Sequence, residues 1–113
     1  MKVIIAGGRD YIQTEEDYKA IEELLIKNKV TEVVSGGAKG ADEFGEMLAN
    51  RLEIPITQFL PDWDKFGKRA GPFRNHVMAK YADAVILLPG GRGTDSMRNE
   101  AKKANLVFLY ERK

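Results

Sequence analysis

The apolar positions of this chain change period repeatedly. Val3 to Ala6 form a short continuous run ending in Gly7-Gly8, the pattern of a strand buried on both faces. From Thr14 the spacing is helical. Tyr18, Ile21, Leu24 and Leu25 share one stripe, while Glu15, Glu16, Glu22, Glu23 and Lys27 face water. Thr14 is the expected cap, with Asp17 three residues on as an approximate capping box, and Asn28 ends the helix. A strand over residues 30–35 follows, closed by a second glycine pair. Ala41, Phe44, Leu48, Ala49 and Leu52 predict a helix over 41–52, and residues 54–60 a strand with Pro55 at its start, where a missing N–H is tolerable. "PDWDKFGKRAGPF" reads as irregular, and its length suggests a functional loop. Helical spacing returns through Phe73, Val77, Met78 and Tyr81; a strand over 85–88, a helix over 95–104 and a strand over 106–110 follow, with the trailing "ERK" expected to fray.

Short runs of Val, Ile and Leu alternating with amphipathic helices predict an α/β protein: a mainly parallel sheet of about five strands with helices on both faces. At 113 residues and 43% hydrophobic content, the chain suits one domain over residues 1–113 with one core. With 18 basic and 17 acidic side chains the net charge is +1, so nothing in the balance drives the chain toward nucleic acid. Cysteine is absent, which excludes a disulfide scaffold and thiolate metal sites and fits a reducing compartment. "MKVIIAGG" is too short for a signal peptide or a membrane span, so the expectation is a soluble cytoplasmic protein without membrane contact.

Three glycine-rich turns change this picture from fold to chemistry. "AGGRDY", "SGGAKGAD" and "PGGRGT" all follow predicted strands, at the rim where such sheets bind ligands. Glycine lets a ligand approach the backbone, and a helix starting after the turn offers free N–H groups and the positive end of its dipole. The candidate phosphate-binding residues are therefore Gly7, Gly8 and Arg9; Ser35, Gly36, Gly37 and Gly40; and Pro89, Gly90, Gly91, Arg92, Gly93 and Thr94. Thr94 also suits a helix cap, and Asp42 suits the cap of the second helix. Ser35 fits a phosphate donor and a strand-end cap equally. No dinucleotide fingerprint, P-loop or nucleophile elbow occurs, and the spacing of Asp10, Asp42, Asp62, Asp64 and Asp95 demands no metal.

In order and spacing, "GGRDY", "VVSGGAKGADEFGEMLA" and "PDWDKFGKRAGPFRNHVMAKYADAVILLPGGRGTDSM" resemble the small YspA/YpsA-related group of the SLOG superfamily. That superfamily includes the Lonely-Guy phosphoribohydrolases and the DNA-processing protein DprA. The resemblance implies a Rossmann-like three-layer α/β/α sandwich and a nucleotide-like ligand at the glycine rim, such as ADP-ribose or NAD. A bound nucleotide is the one cofactor it suggests, and Asp42 becomes a candidate for ribose hydroxyls.

The Lonely-Guy pattern is matched by Arg74 and Met78, then by Pro89, Gly90, Gly91, Gly93 and Thr94. Those enzymes carry a glutamate where this chain has Ser96, and a serine supplies no carboxylate for N-glycosidic cleavage. Arg74 and Asp95 remain the catalytic candidates if turnover occurs, with Asp42 and Glu100 behind them. "SGGAKGAD" is similar to a DprA stretch, and Lys65, Lys68, Arg69, Arg74 and Lys80 gather around Trp63, Phe66 and Phe73 as the local patch to test against single-stranded DNA. Trp63 fits a loop plug and a base-stacking platform, Arg74 a ligand contact and an ion pair with Asp62, Asp64 or Asp83, and His76 a half-exposed helix position. Open sheet edges, together with the dimers of the Lonely-Guy enzymes, point to a homo-oligomer. The leading expectation is nucleotide binding, followed by hydrolysis and then DNA binding.

Overall fold

A computed structural model describes residues 1–113. Its strands are β1 (Lys2–Ala6), β2 (Glu32–Ser35), β3 (Ile56–Gln58), β4 (Ala84–Leu87) and β5 (Val107–Glu111). All pair in parallel in the order β3-β2-β1-β4-β5. The helices are α1 (Glu15–Lys27), α2 (Ala41–Arg51), the single turn α3 (Trp63–Phe66), α4 (Ala70–Tyr81) and α5 (Arg92–Lys103).

The pleat divides the core in two. Val3, Ile5, Val33, Ala84 and Ile86 point to one face, where Ile21 and Leu25 of α1 and Phe44 and Leu48 of α2 cover them. Ile4, Val34, Val85 and Leu87 point to the other, under Met78 and Ala79 of α4 and Met97 and Ala101 of α5. Successive residues on opposite faces are what a central strand needs when both sides are covered. This is a Rossmann-like three-layer sandwich with a parallel five-stranded sheet. Truncating Leu48, which is fully buried, to Ala is expected to cost about 2–5 kcal/mol.

Several elements differ from the sequence expectation. The stretch expected to be irregular is largely helical: α3 and a 3₁₀ turn (Gly67–Arg69) lead into α4, which begins at Ala70. Gly71 and Pro72 look like breakers but occupy the first turn of α4, where an N–H has no intrahelical partner and proline costs little. Likewise α5 begins at Arg92 with Gly91 as its cap, not at Asp95. β3 is shorter than residues 54–60, and Pro55 lies just before it with its carbonyl accepting from Val33 N.

Nor does the chain end fray. Glu111 is the last residue of β5 and accepts from Arg98 Nε, and Arg112 returns to α1. Thr14 caps α1 as expected, accepting from Asp17 N at 3.1 Å, but Asp17 does not reciprocate. Its carboxylate is fully buried and accepts from Tyr11 Oη at 2.8 Å, Tyr110 Oη at 2.6 Å and the Arg112 guanidinium at 2.7–3.0 Å. The Arg112 bonds, helped by both tyrosines, hold Asp17 well below the usual carboxylate range despite burial, while burial and Asp17 push the Tyr11 phenol up to about 12. This satisfied ion cluster fastens β5 to α1. No helix is long and apolar enough to cross a membrane.

Candidate functional site

The chain runs from β1 to β2 to β3 on one side of β1 and then crosses back from β3 to β4 on the other, so the crevice outside the carboxyl ends of β1 and β4 is a topological switch point. A cleft of about 610 Å³ lies there. Gly7, Gly8 and Arg9 line it from the turn after β1, and Gly36, Gly37 and Asp42 from the turn after β2. Trp63 and Arg74 approach from α3 and α4, and Gly91, Arg92, Gly93 and Thr94 from the start of α5. Five expected residues do not line it: Ser35, Gly40, Pro89, Gly90 and Asp95.

Most of those five are spent holding the rim together. Gly8 N donates to Pro89 O at 2.9 Å, and Gly8 O accepts from Ala41 N at 3.1 Å. A methyl on Gly90 would collide with Thr94 Oγ1 and the Gly8 amide. Gly40 has φ +76°, and a methyl there would collide with the Gly8 and Arg9 carbonyls. The three turns are thus interlocked by backbone contact. Gly91 and Gly93 differ, since a methyl on either meets nothing within 4 Å. Their missing side chains leave space at the cleft rather than room for a neighbour.

The start of α5 is chemically open. No side chain caps its first turn. Thr94, expected as the cap, lies inside that turn; it is 3% exposed and its hydroxyl has no partner. Asp95 is exposed and binds Arg98 Nη1 at 2.6 Å, which removes this catalytic candidate from the cleft. The roughly 100° step between neighbouring helical residues carries it away from the face Thr94 occupies.

The start of α2 is closed. Asp42 is not the cap: Gly40 is, and Glu43 Oε1 accepts from Gly40 N at 3.1 Å. Asp42 Oδ2 accepts from Ala38 N at 3.1 Å. Ser35 is 1% exposed; its hydroxyl donates to Glu46 Oε2 at 2.5 Å and accepts from Gly37 N at 3.1 Å. Burial is the main force lifting the Asp42 carboxyl to about 6; the Ala38 amide, Arg74 and Arg9 pull the other way, and Glu46 adds to the rise.

Arg74 bridges the two halves. Nη1 donates to Gly36 O at 2.7 Å and Phe59 O at 3.1 Å, and Nε to Asn75 Oδ1 at 3.0 Å, which leaves Nη2 without a protein partner. None of the expected ion-pair partners is used: Asp62 caps α3, and Asp83 accepts from Lys2 N. Desolvation lowers the Arg74 pKa, with Asp42 opposing it and Arg9 adding to it.

Asn75 was not among the expected site residues, yet it is buried and its amide reaches Gly93 O at 3.4 Å and Ser96 Oγ at 3.2 Å. Its signal was a polar residue in register with Met78 and Ala79 on the buried stripe of α4. Leu60, Pro61, Pro72 and Met97 also line the cleft unforeseen. With Trp63, which is 51% exposed and therefore no buried plug, Leu60, Pro61 and Pro72 give the cleft apolar lining beyond the glycine rims. His76 pairs with Glu100 at 2.9 Å outside the cleft. Of the basic and aromatic patch, only Arg74 and Trp63 line the cleft; Phe66 stacks on Phe73 with centroids 4.7 Å apart, and Lys65 lies over Phe66. No cluster of His, Cys, Asp or Glu could hold a metal.

Comparison with known proteins bears on this architecture. A profile of the YspA, cpYpsA-related SLOG family (YAcAr) matches residues 1–66. The chain belongs to that family. It is 32% identical to the Gene 61 protein of Mycobacterium phage D29 over 117 residues, covering 96% of this chain and 94% of the phage protein. The fold is that of TM1055, solved by X-ray crystallography, with a TM-score of 0.72 at 20% identity over 95% of this chain and 71% of that one. It is also that of DNA processing protein A (DprA) from Streptococcus pneumoniae, with a TM-score of 0.73 at 19% identity. The match covers 95% of this chain and 48% of DprA, so the SLOG chain spans about half of DprA's length. The SLOG fold is broadly associated with nucleotide-binding and nucleic-acid-binding families.

Proposed function

We propose that this chain binds a nucleotide or nucleotide-derived ligand, of the ADP-ribose or NAD kind, and acts as a sensor or sequestering protein. The phosphate sits at Gly91–Thr94, against the first turn of α5. One observation carries this reading: the Thr94 hydroxyl is buried without a partner in a helix start that no side chain caps. Such a hydroxyl stays desolvated at a cost of about 1–3 kcal/mol unless something from outside bonds to it. Arg74, with Nη2 unpaired at the cleft, supplies the planar cation that a phosphate favours. Trp63 offers its ring to the base. The test is calorimetric titration with AMP, ADP-ribose and NAD. At least one is expected to bind; Arg74→Ala is expected to weaken it by roughly 10–50-fold, a range typical of lost charge-assisted bonds. Failure of all three to bind removes the reading.

A second reading, hydrolysis of an N-glycosidic bond, rests on Asp42 alone. With Asp95 and Glu100 outside, Asp42 is the one carboxylate lining the cleft, and its raised pKa suits proton transfer. Free base released from any of the three nucleotides, and lost in Asp42→Asn, would replace binding with turnover as the function. Single-stranded DNA is the third, through the fold shared with DprA, and predicts affinity that falls steeply with salt.

A further inference from the structure

Asn75 connects α4 to the first turn of α5, and its neighbours fix which way its amide faces. Oδ1 accepts from Arg74 Nε at 3.0 Å, a nitrogen that can only donate. Nδ2 points the other way, to Gly93 O at 3.4 Å, an oxygen that can only accept, and to Ser96 Oγ at 3.2 Å. Turning the amide over would set donor against donor at one end and acceptor against acceptor at the other, so only one orientation satisfies both. Burial holds it there, since Asn75 is 7% exposed.

The consequence falls on Ser96. Its oxygen already accepts from Asn75 Nδ2, and no acceptor in the protein takes its hydrogen, not even the Arg92 carbonyl one turn back that a helical serine often uses. Ser96 and Thr94 both line the cleft. Around the helix, at about 100° per residue, Gly93 falls between them, without a side chain to separate the two hydroxyls. The Arg92, Gly93 and Thr94 amides precede the first bond of α5, from Asp95 N to Gly91 O, and have no partner. Gly93 O, the acceptor among these groups, is covered by Asn75. This end of the cleft therefore offers hydrogens only.

We propose that Ser96 is a phosphate-binding residue whose hydroxyl hydrogen Asn75 turns into the cleft, and that Asn75 positions Ser96 and the Arg74 guanidinium for the same anion. The inference rests on the nucleotide reading above. A phosphate oxygen only accepts and suits such a surface, whereas a sugar hydroxyl or a base amino group brings hydrogens of its own. A carboxylate at position 96 would repel the anion; the serine adds a donor to it.

The experiment is calorimetry with AMP, ADP-ribose and NAD on the wild type, Ser96→Ala, Asn75→Asp and the double variant. Ser96→Ala is expected to weaken each nucleotide that the wild type binds by about 5–10-fold. Its melting temperature is expected to stay unchanged, because Asn75 Nδ2 keeps Gly93 O. Asn75→Asp leaves Arg74 Nε an acceptor but puts a second one where Nδ2 was, so the Ser96 hydrogen turns away from the ligand. Affinity is expected to fall at least as far, and adding Ser96→Ala to this variant to cost roughly 2-fold or less. Unchanged affinity in Ser96→Ala overturns the inference and leaves the nucleotide reading standing. Losses that multiply in the double variant overturn it as well, for the two side chains then act separately. A wild type that binds none of the three overturns the nucleotide reading and this inference with it. Ser96 is only half-buried, so Ser96→Ala leaves the core untouched and decides the contact even where Asn75→Asp fails to fold.

Discussion

The turns after β2 and β4 look alike in sequence and behave as opposites in the fold. Each follows a central strand with a glycine pair, a basic residue and another glycine, though α2 begins after that last glycine and α5 already at the basic residue, Arg92. At α2 the acidic residues fall on the second and third helical positions, Asp42 and Glu43, where their carboxylates reach back to the turn amides. At α5 the only acidic residue of the first turn is Asp95, and it swings out to Arg98. A displacement of one or two positions separates a helix start that neutralises itself from one left open. Glycine content says little about ligand binding. The placement of the first carboxylate says more.

The largest expected effect separates glycines that hold the fold from those that face the cleft. Gly40→Ala puts a methyl on a positive-φ residue and against two carbonyls, and is expected to destabilise by about 3 kcal/mol or more. Gly93→Ala lies in open space within the first turn of α5, and is expected to stabilise by about 0.5–1 kcal/mol through helix propensity. Urea denaturation checks both; equal losses would erase the distinction.

Next in size, Gly91→Asp gives α5 the kind of carboxylate that α2 already owns. Asp is a good N-cap, so the melting temperature is expected to hold or rise. Nucleotide affinity is expected to fall about 100-fold, roughly 2.7 kcal/mol, as the introduced charge occupies the proposed phosphate position. A variant that folds well and still binds would move the phosphate elsewhere.

The closed turn has its own signature in pH. The Asp42 carboxyl is raised from 3.8 to about 6, so its contribution to stability is fully present below 3.8 and lost as pH rises through about 6. Asp17 and Glu32 are shifted the other way, and their contributions persist at higher pH and fail only on acidification. Between pH 5 and 7 the wild type is expected to lose on the order of 1–2 kcal/mol that Asp42→Asn does not lose. Parallel slopes in the two proteins would mean that Asp42 is better solvated than its burial implies.

The order of strands and helices, the parallel sheet and the glycine-lined rim were all legible in the sequence, because hydrophobic period and glycine punctuation are local signals. The start of α5 was not. Placing the cap on Thr94 rather than Gly91 put Asp95 at the first helical position instead of the fourth and gave the threonine hydroxyl a partner it lacks. The α4 start was hidden because Gly71 and Pro72 break helices everywhere except in the first turn. Nothing local announces that Arg112 crosses the fold to Asp17, 95 residues away. Arg74 could be placed at the rim, but its bonds to the carbonyls of Gly36 and Phe59 depend on three elements meeting.

The smallest effect probes the atom on which the comparison turns. Thr94→Val keeps the side-chain shape and exchanges a buried, unpartnered hydroxyl for a methyl. In the free protein no hydrogen bond is lost, so stability is expected to hold or to rise by up to about 1 kcal/mol as a desolvated polar group disappears. On the proposed function the hydroxyl bonds to the phosphate in the complex, and affinity is expected to fall about 5–10-fold, close to 1 kcal/mol. A purely structural threonine predicts the reverse: stability falls and affinity stays. Measured together on one variant, a melting curve and a titration therefore tell a socket from a turn, and Ser35→Ala is the contrast. There the hydroxyl is bonded to Glu46 and Gly37 within the protein, so its loss is expected to cost stability and leave nucleotide affinity unchanged.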